Sequence, residues 1–425
     1  MEPRVWTDRM LATLETGVEG GRWFSLVDKV WREDNLRAAY ERTKANNGAA
    51  GADHVTVKAF GQRQEEEIGR LAGELREGTY RPQLLKRVYI DKPGSAEKRP
   101  LGIPTVRDRV VHGAVKQVVE PIFEAGFAAN SYGFRPGRGC KDALREVQRK
   151  LDEGYGYVVD VDIKSFFDTI DHELLMKRIG ERISDGRLLE LLRLFLKQGI
   201  LEGAESREPD EGTPQGGVIS PLLANIYLNP LDWLLLQGGF QSVRYADDMV
   251  ILCRSAAEAE RALALVRQWM DGAGLCLHPE KTRIVDMGQP GAYFDFLGYR
   301  FRRTLARSRL IRVPRPKSMR KLREALRPIT KRCNGWSLQE IIRRINKRLR
   351  GWYEYFKHAD RVGMEDVDQW VRMRLRSILR KRHGGRGRGR GTDHRKWPNA
   401  YFTKHGLFSC VTARSEACQS ARAVV

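Results

Sequence analysis

The chain has 425 residues, 41% hydrophobic and 9% aromatic, enough to bury a sizeable core and too apolar for global disorder. No apolar run approaches the roughly 18–20 residues that span a bilayer, "MEPRVWTDRMLATLETG" lacks the apolar stretch of a secretory leader, and six scattered cysteines without a C-x-x-C pair argue against a disulfide framework or zinc site. The net charge of +22 lies wholly in residues 301–425, which hold 34 basic against 9 acidic residues and leave residues 1–300 at 42 against 45. These features predict a soluble intracellular protein. A basic region this large, with Trp and Tyr between its arginines, is the footprint of a polyanion partner, most often nucleic acid.

In chain order, residues 1–60 read as helical and then turn-rich at "NNGAAGADHVTV" (46–57), and "QRQEEEIGRLAGELRE" (62–77) reads as a charged amphipathic helix. "RVYIDKPGSAEKRPLGIP" (87–104) predicts two short strands around a flexible turn. "RDRVVHGAVKQVVEPIFEAGF" (107–127) spaces its apolar residues for a helix with one buried face. "YVVDVDI" (157–163) predicts a strand; "DHELLMKRIGERI", "RLLELLRLFLKQGI", most of 216–236 and 255–274 predict helices; 242–253 and 291–301 predict hairpins. Past about 315 come three basic amphipathic helices, then a Gly/Arg linker, "HGGRGRGRG" (383–391), and a short basic tail. No internal repeat is found. The order of elements up to 300 predicts an α+β domain with an antiparallel sheet.

The pair Asp247 and Asp248 interrupts the apolar "VRYADDMVIL" (243–252). Burying an unpaired carboxylate costs several kcal/mol, so the stretch reads as two strands, "VRYA" and "MVIL", with both aspartates at the tip between them. Adjacent carboxylates repel unless a cation sits between them, and hard divalent cations such as Mg²⁺ prefer oxygen ligands. Alone, the pair is weak evidence for metal binding and reads first as a polar Asp-Asp turn. "YVVDVDIKSFFDTIDH" (157–172) supplies a third carboxylate. Alternation puts Asp160 and Asp162 on one face of the strand; Asp162, near the strand end, is the better ligand, and Asp160 points away or acts behind it. Phe166 and Phe167 follow: one is expected in the core, the other against a nucleotide sugar. In "GTPQGGVISPLLANIYL" (212–228) Gly216 allows close backbone approach and Gln215 reaches a base or sugar edge. Lys92 and Arg99 flank the flexible loop as a triphosphate clamp, and Lys281 in "LHPEKT" is a further cation near the phosphate.

Together these motifs resemble a reverse transcriptase, specifically the group II intron-encoded reverse transcriptase/maturase family of bacterial type. "NNGAAGADHVTV", "KPGSAEKRPLGIPTVRDRVV", "SYGFRPGRGCKDAL", "VDIKSFFDTIDH", "TPQGGVISPLLANIYLNPLD", "RYADDMVIL", "LHPEKTRI" and "FLGYRF" resemble its ordered blocks, "RINKRLRGWYEYF" its maturase region and "WPNAYFTKHGLFS" its bacterial C-terminal ending. The resemblance covers nearly the whole chain.

It implies a right-hand polymerase: an N-terminal extension (1–60), fingers and palm (61–300), an α-helical thumb/maturase domain (301–383) and a basic DNA-binding tail (384–425). It implies catalysis at Asp162, Asp247 and Asp248, two Mg²⁺ ions on those residues and the Ile163 carbonyl, and dNTP contacts at Lys92, Arg99, Gln215, Gly216 and Lys281. The sugar gate falls on Phe167 by spacing, with Phe166 the alternative. Expected nucleic-acid contacts are Arg135, Arg343, Arg344, Lys347, Arg348, Arg350, Arg386, Arg388 and Arg390. The implied function is RNA-directed DNA synthesis with splicing assistance and retrohoming, in a ribonucleoprotein with group II intron RNA, template RNA and DNA primer or target. The implied place is the bacterial cytoplasm, at the nucleoid when acting on DNA, with no membrane partner.

Two departures stand out. Many relatives carry a C-terminal HNH-type endonuclease with paired cysteines, but Cys410 and Cys418 have the wrong spacing, so no target-cleaving nuclease is expected. His278 stands where relatives usually have Asn. Two alternatives remain open: a domesticated relative in defence or repair, and an RNA-binding splicing factor with an idle polymerase.

Overall fold

The computed structural model describes all residues except 1, 3, 4, 92–97, 203, 204, 208–210, 214, 215, 305–308, 424 and 425. Among those described, the strands are β1 (Leu85–Asp91), β2 (Lys98–Ile103), β3 (Tyr157–Asp162), β4 (Ile200–Glu202), β5 (Glu205–Arg207), β6 (Gln241–Tyr245), β7 (Asp248–Cys253), β8 (Arg283–Asp286), β9 (Tyr293–Phe296), β10 (Tyr299–Arg303) and β11 (Leu310–Pro314). The chain packs as two compact units, one up to Ile284 and the other from Val285 on.

The first unit is built on a sheet in the order β6-β7-β3-β8, with β7 antiparallel to both β6 and β3. The period of two sorts its side chains. Val159 and Val161 on β3 face the same core as their partners Ile251 and Met249 on β7. Each such burial contributes roughly 1.5–3 kcal/mol. Helices Ser220–Gln237 and Ala256–Gly272 pack on these strands. A second sheet runs β2-β1-β4-β5, with β1 and β2 antiparallel and β4 parallel to β1.

The helix expected at 107–127 is Val106–Glu124, capped by the Thr105 hydroxyl, which accepts from Asp108 N–H. Its expected apolar face is buried, but so are Asp108, Arg109, His112 and Gln117. The helix is enclosed rather than half-buried: Asp108, Arg109 and Gln117 find internal partners, and His112 is buried without one. Asp108 accepts from the Tyr80 hydroxyl at 2.7 Å, Arg109 Nε donates to the Pro104 carbonyl at 3.0 Å and Gln117 donates to Asn35 Oδ1 at 2.6 Å. The N-terminal segment helps enclose it: helix Glu33–Asn46 packs on it, and Trp6 Nε1 donates to the Gln117 carbonyl at 2.9 Å. Residues read as an extension therefore contribute Val5, Trp6 and Leu36 to the core of the first unit.

The second unit joins the antiparallel sheet β11-β10-β9 to helices Pro316–Leu326, Leu338–Phe356 and Arg361–Arg382. The segment read as a basic tail is folded as helices Gly391–Lys396, Asn399–Lys404 and Cys410–Ala423. Arg376, nearly buried, donates to the Trp397 carbonyl at 2.9 Å and Asn399 Oδ1 at 2.7 Å, and Asp368 accepts from Cys410 N–H at 3.0 Å. Trp397, Phe402 and Cys410 are buried. The Gly/Arg composition masked these few apolar anchors. Among the described residues, no helix is long and apolar enough to cross a membrane.

Candidate active site

Strands β3 and β7 pair so that Asp162 lies directly opposite Asp248. Opposed residues of an antiparallel pair project to one face with Cβ atoms about 4.5–5.5 Å apart, and this is the face turned away from Val161 and Met249. Tyr245 also pairs with Asp248, so the hairpin tip is Ala246–Asp247 and Asp248 is already the first residue of β7. The expected tip of both aspartates is thus shifted by one residue. A tight two-residue loop imposes a positive φ at its first position; Ala246 adopts φ 58° there, at about 1–2 kcal/mol for a residue with a Cβ. Asp247 is half-buried and Asp248 exposed.

The segment Leu277–Thr282 clips onto the end of β3. His278 N–H donates to the Asp162 carbonyl at 2.8 Å, and Lys164 N–H donates to the Cys276 carbonyl at 2.9 Å. His278 meets Asp162 through its main chain, which an Asn would do equally. The clip brings Lys281 Nζ to 3.1 Å from Asp162 Oδ1 and 3.4 Å from Oδ2. With the lysine side chain 57% exposed and the aspartate 33%, the pair contributes little stability; what it marks is a place that draws a cation. Asp160, on the same face as Asp162, lies 3.8 Å from Arg283 Nε. Ile163 is buried, so only its carbonyl remains to serve a ligand.

Phe166 and Phe167 stand edge to face at 5.3 Å. Phe166 is 2% exposed and packs on Tyr227, so it belongs to the core and is withdrawn as a nucleotide contact; Phe167 is half-buried. Thr213 N–H donates to the Phe167 carbonyl at 2.7 Å, which fastens the following loop to this turn. Gly216 in that loop has φ 114°, and a Cβ there would lie 2.6 Å from the Gly102 carbonyl of β2. Only glycine lets the loop approach β2 this closely. Lys92 and Gln215 lie outside the described residues. Arg99 sits on β2 opposite Ile90.

The basic residues separate by burial. Arg135 is not available to nucleic acid: its side chain is 3% exposed, grips Glu124 through Nε (2.9 Å) and Nη2 (2.7 Å), and donates from Nη1 to the Ala128 and Ser131 carbonyls. A charge count does not distinguish such an internal strut from a surface cation. In the second unit, helix Leu338–Phe356 buries Ile341, Ile342, Ile345 and Leu349 and exposes Arg343, Arg344, Lys347, Arg348 and Arg350. Arg343, then Arg344, hydrogen-bond Glu340 and hold its carboxyl down to about 2. Arg344 also stacks 3.8 Å from the Trp336 ring centre. Arg386, Arg388 and Arg390 are exposed. Their loop is pinned: Arg380 Nε donates to the Arg386 carbonyl at 2.8 Å, Arg332 donates to the Gly387 carbonyl at 3.1 Å and Arg380 Nη1 pairs with Asp393 at 2.8 Å.

Residues 90–301 match the family described as reverse transcriptase (RNA-dependent DNA polymerase), and residues 319–397 match the group II intron, maturase-specific domain. The chain is 35% identical over 346 residues to Protein YkfC of Escherichia coli (strain K12), covering 72% of this chain and 90% of that one. It is 42% identical over 206 residues to Group II intron-encoded protein LtrA of Lactococcus lactis subsp. cremoris, covering 48% of this chain and 34% of that protein. The match thus spans about a third of that relative's length. Among solved structures, a partial Cas6-RT-Cas1–Cas2 complex aligns with a TM-score of 0.38 at 28% identity, over 58% of this chain and 41% of that one. The match over residues 90–301, which covers most of the mixed sheet-and-helix first unit, and the match over residues 319–397 place the chain in the reverse transcriptase class. More narrowly, the chain belongs to the group II intron-encoded reverse transcriptase/maturase family.

Proposed function

We propose that the chain is an RNA-directed DNA polymerase that binds group II intron RNA, assists its splicing and copies the intron into DNA during retrohoming. The observation that carries this reading is the β3–β7 register, which brings Asp162 and Asp248 opposite each other with Asp247 beside them. The donor set fits Mg²⁺: hard carboxylate oxygens at a point where Asp162 already attracts an ammonium group. Two Mg²⁺ ions held by Asp162, Asp247, Asp248 and the Ile163 carbonyl would activate the primer 3′-hydroxyl and neutralise the leaving pyrophosphate.

The chain's own residues do the rest. Lys281 leaves Asp162 to meet the incoming triphosphate, which Lys92 and Arg99 clamp. Phe167 walls off the position of a 2′-hydroxyl, and Gln215 and Gly216 border the nucleotide. Fingers and palm span 61–300. The exposed arginines and lysine of helix Leu338–Phe356, in the thumb/maturase region, hold template–primer duplex and intron RNA. Arg386, Arg388 and Arg390 hold DNA target. The site of action is the bacterial cytoplasm, at the nucleoid when DNA is the target.

Extension of a DNA primer on an RNA template with dNTPs and Mg²⁺ tests the reading. Wild-type chain is expected to make cDNA, and Asp248→Ala to lose it by on the order of 1000-fold, several kcal/mol of barrier, while RNA binding stays intact. Full-length product from Asp248→Ala, or none from wild type, would overturn it.

A further inference from the structure

Arg244, the penultimate residue of β6, is fully buried and every guanidinium N–H has an acceptor. Nε and Nη2 grip the buried Asp232 at 2.8 and 2.5 Å. Nη2 also donates to Ser131 Oγ at 2.8 Å, and Nη1 donates to Asn225 Oδ1 at 3.0 Å. The remaining bond runs from Nη1 to the carbonyl of Ala246, at 2.9 Å. Ala246 is the left-handed residue of the turn, one position before Asp247.

The same network closes on the turn from its other side. Asn225 Nδ2 donates to the Gly133 carbonyl at 2.8 Å, and a Cβ at Gly133 would lie 2.3 Å from Ala246 N. Arg244 N–H donates to the Asn130 carbonyl, and Tyr132 N–H to the Arg244 carbonyl, both at 2.9 Å. The segment Ser131–Gly133 is thereby packed against the turn.

A buried ion pair is a poor way to gain stability, since a well-packed apolar pair of similar volume is often as good. Fold stability alone therefore does not account for it. Its distinctive product is a fixed carbonyl at Ala246. We propose that Arg244 is a positioning residue, held by Asp232 and Asn225, that sets the Ala246 turn and so the metal-binding geometry of Asp247 and Asp248. The proposal rests on the polymerase reading of that site.

The test compares wild type, Arg244→Lys and the paired variant Arg244→Met/Asp232→Leu. Lysine keeps the charge beside Asp232 but lacks the planar fork that also reaches Ala246 and Asn225; the paired variant removes both charges together. Thermal unfolding reports the fold, Mn²⁺ titration followed by electron paramagnetic resonance reports the site without nucleotides, and primer extension gives kcat and the dNTP KM. The expected result is a cooperative melt, Mn²⁺ affinity lowered about tenfold at unchanged stoichiometry and kcat lowered about 100-fold with little change in KM. Wild-type affinity and kcat in a folded variant would overturn the proposal. So would fewer Mn²⁺ sites at unchanged affinity, since that reports only a smaller folded fraction. If the paired variant does not fold, Arg244→Lys decides by the same readouts. If wild type makes no cDNA, the polymerase reading fails, and the Mn²⁺ titration still decides on Arg244.

Discussion

Lys281 holds its ammonium group 3.1 Å from Asp162 Oδ1. The two residues are 119 positions apart and meet because His278 and Lys164 stitch the 276–282 segment to the end of β3. A divalent ion at Asp162 has to displace this ammonium, so Lys281→Met should tighten Mn²⁺ binding to the nucleotide-free chain by a few-fold. The same change should slow single-nucleotide incorporation about 10–100-fold, as expected when a cation on the transferring phosphate is lost. Opposite signs for the two measurements are the diagnostic; weaker metal binding would mean that Lys281 supports the site rather than competes for it.

The two phenylalanines make separable predictions. Phe167→Ala should leave dNTP incorporation nearly intact and raise rNTP incorporation at least tenfold, a change of about 1.4 kcal/mol in discrimination. Phe166→Ala should cost about 3–5 kcal/mol of stability, seen in urea unfolding, because its ring is buried against Tyr227. A gain in rNTP use from Phe166→Ala with no change from Phe167→Ala would reverse the assignment.

His112 gives the first unit a dependence on acid. Its ring is buried against Phe195 at 4.1 Å, and both nitrogens lack a hydrogen-bond partner. Burial pushes its pKa down from 6.5 to about 3. The unfolded chain takes up the proton first, so this residue's contribution is complete above pH 6.5 and is lost as pH falls toward 3. Between pH 6.5 and 4.5 the loss is roughly 2–3 kcal/mol. His112→Leu should flatten that part of the stability profile, and an equally steep profile in the variant would assign the sensitivity to other groups.

Exposed and buried arginines should behave differently toward salt. The triple variant Arg343→Ala, Lys347→Ala and Arg350→Ala should lower the slope of log affinity against log salt by about 0.7–0.9 for each phosphate that is no longer neutralised. Its melting point should hardly move. Arg135→Ala should leave the slope unchanged and cost about 2–3 kcal/mol, because Glu124 and two carbonyls lose their donor. A lowered slope in Arg135→Ala would restore it as a phosphate ligand.

The parts of the site legible in the sequence are those written in short-range pattern. Valines alternating with Asp160 and Asp162 identify β3 and its faces. Apolar flanks around Asp247 and Asp248 identify the hairpin, though the exact tip depends on which residue of the loop takes positive φ. What was not legible depends on partners distant in sequence. Arg244 meets Ser131 and Asp232, and Gln117 meets Asn35, across separations of 113, 12 and 82 residues, with no period to reveal them. Two readings lacked the same information, where a charge or an anchor sits in space. Arg135, a nucleic-acid contact by resemblance, serves inside the first unit, and the Gly/Arg run concealed a segment anchored by Trp397 and Phe402.

That anchored segment changes how a polyanion would be met. An arginine-rich strand that is free in solution must surrender its conformational freedom when it binds, and part of the attraction is spent on ordering it. Here the backbone around Arg386 and Arg388 is already held by the side chains of Arg380 and Arg332. The guanidinium groups are thus offered on a fixed frame. Association would proceed as docking of prepared surfaces, with the small heat-capacity change that implies, rather than as folding upon encounter.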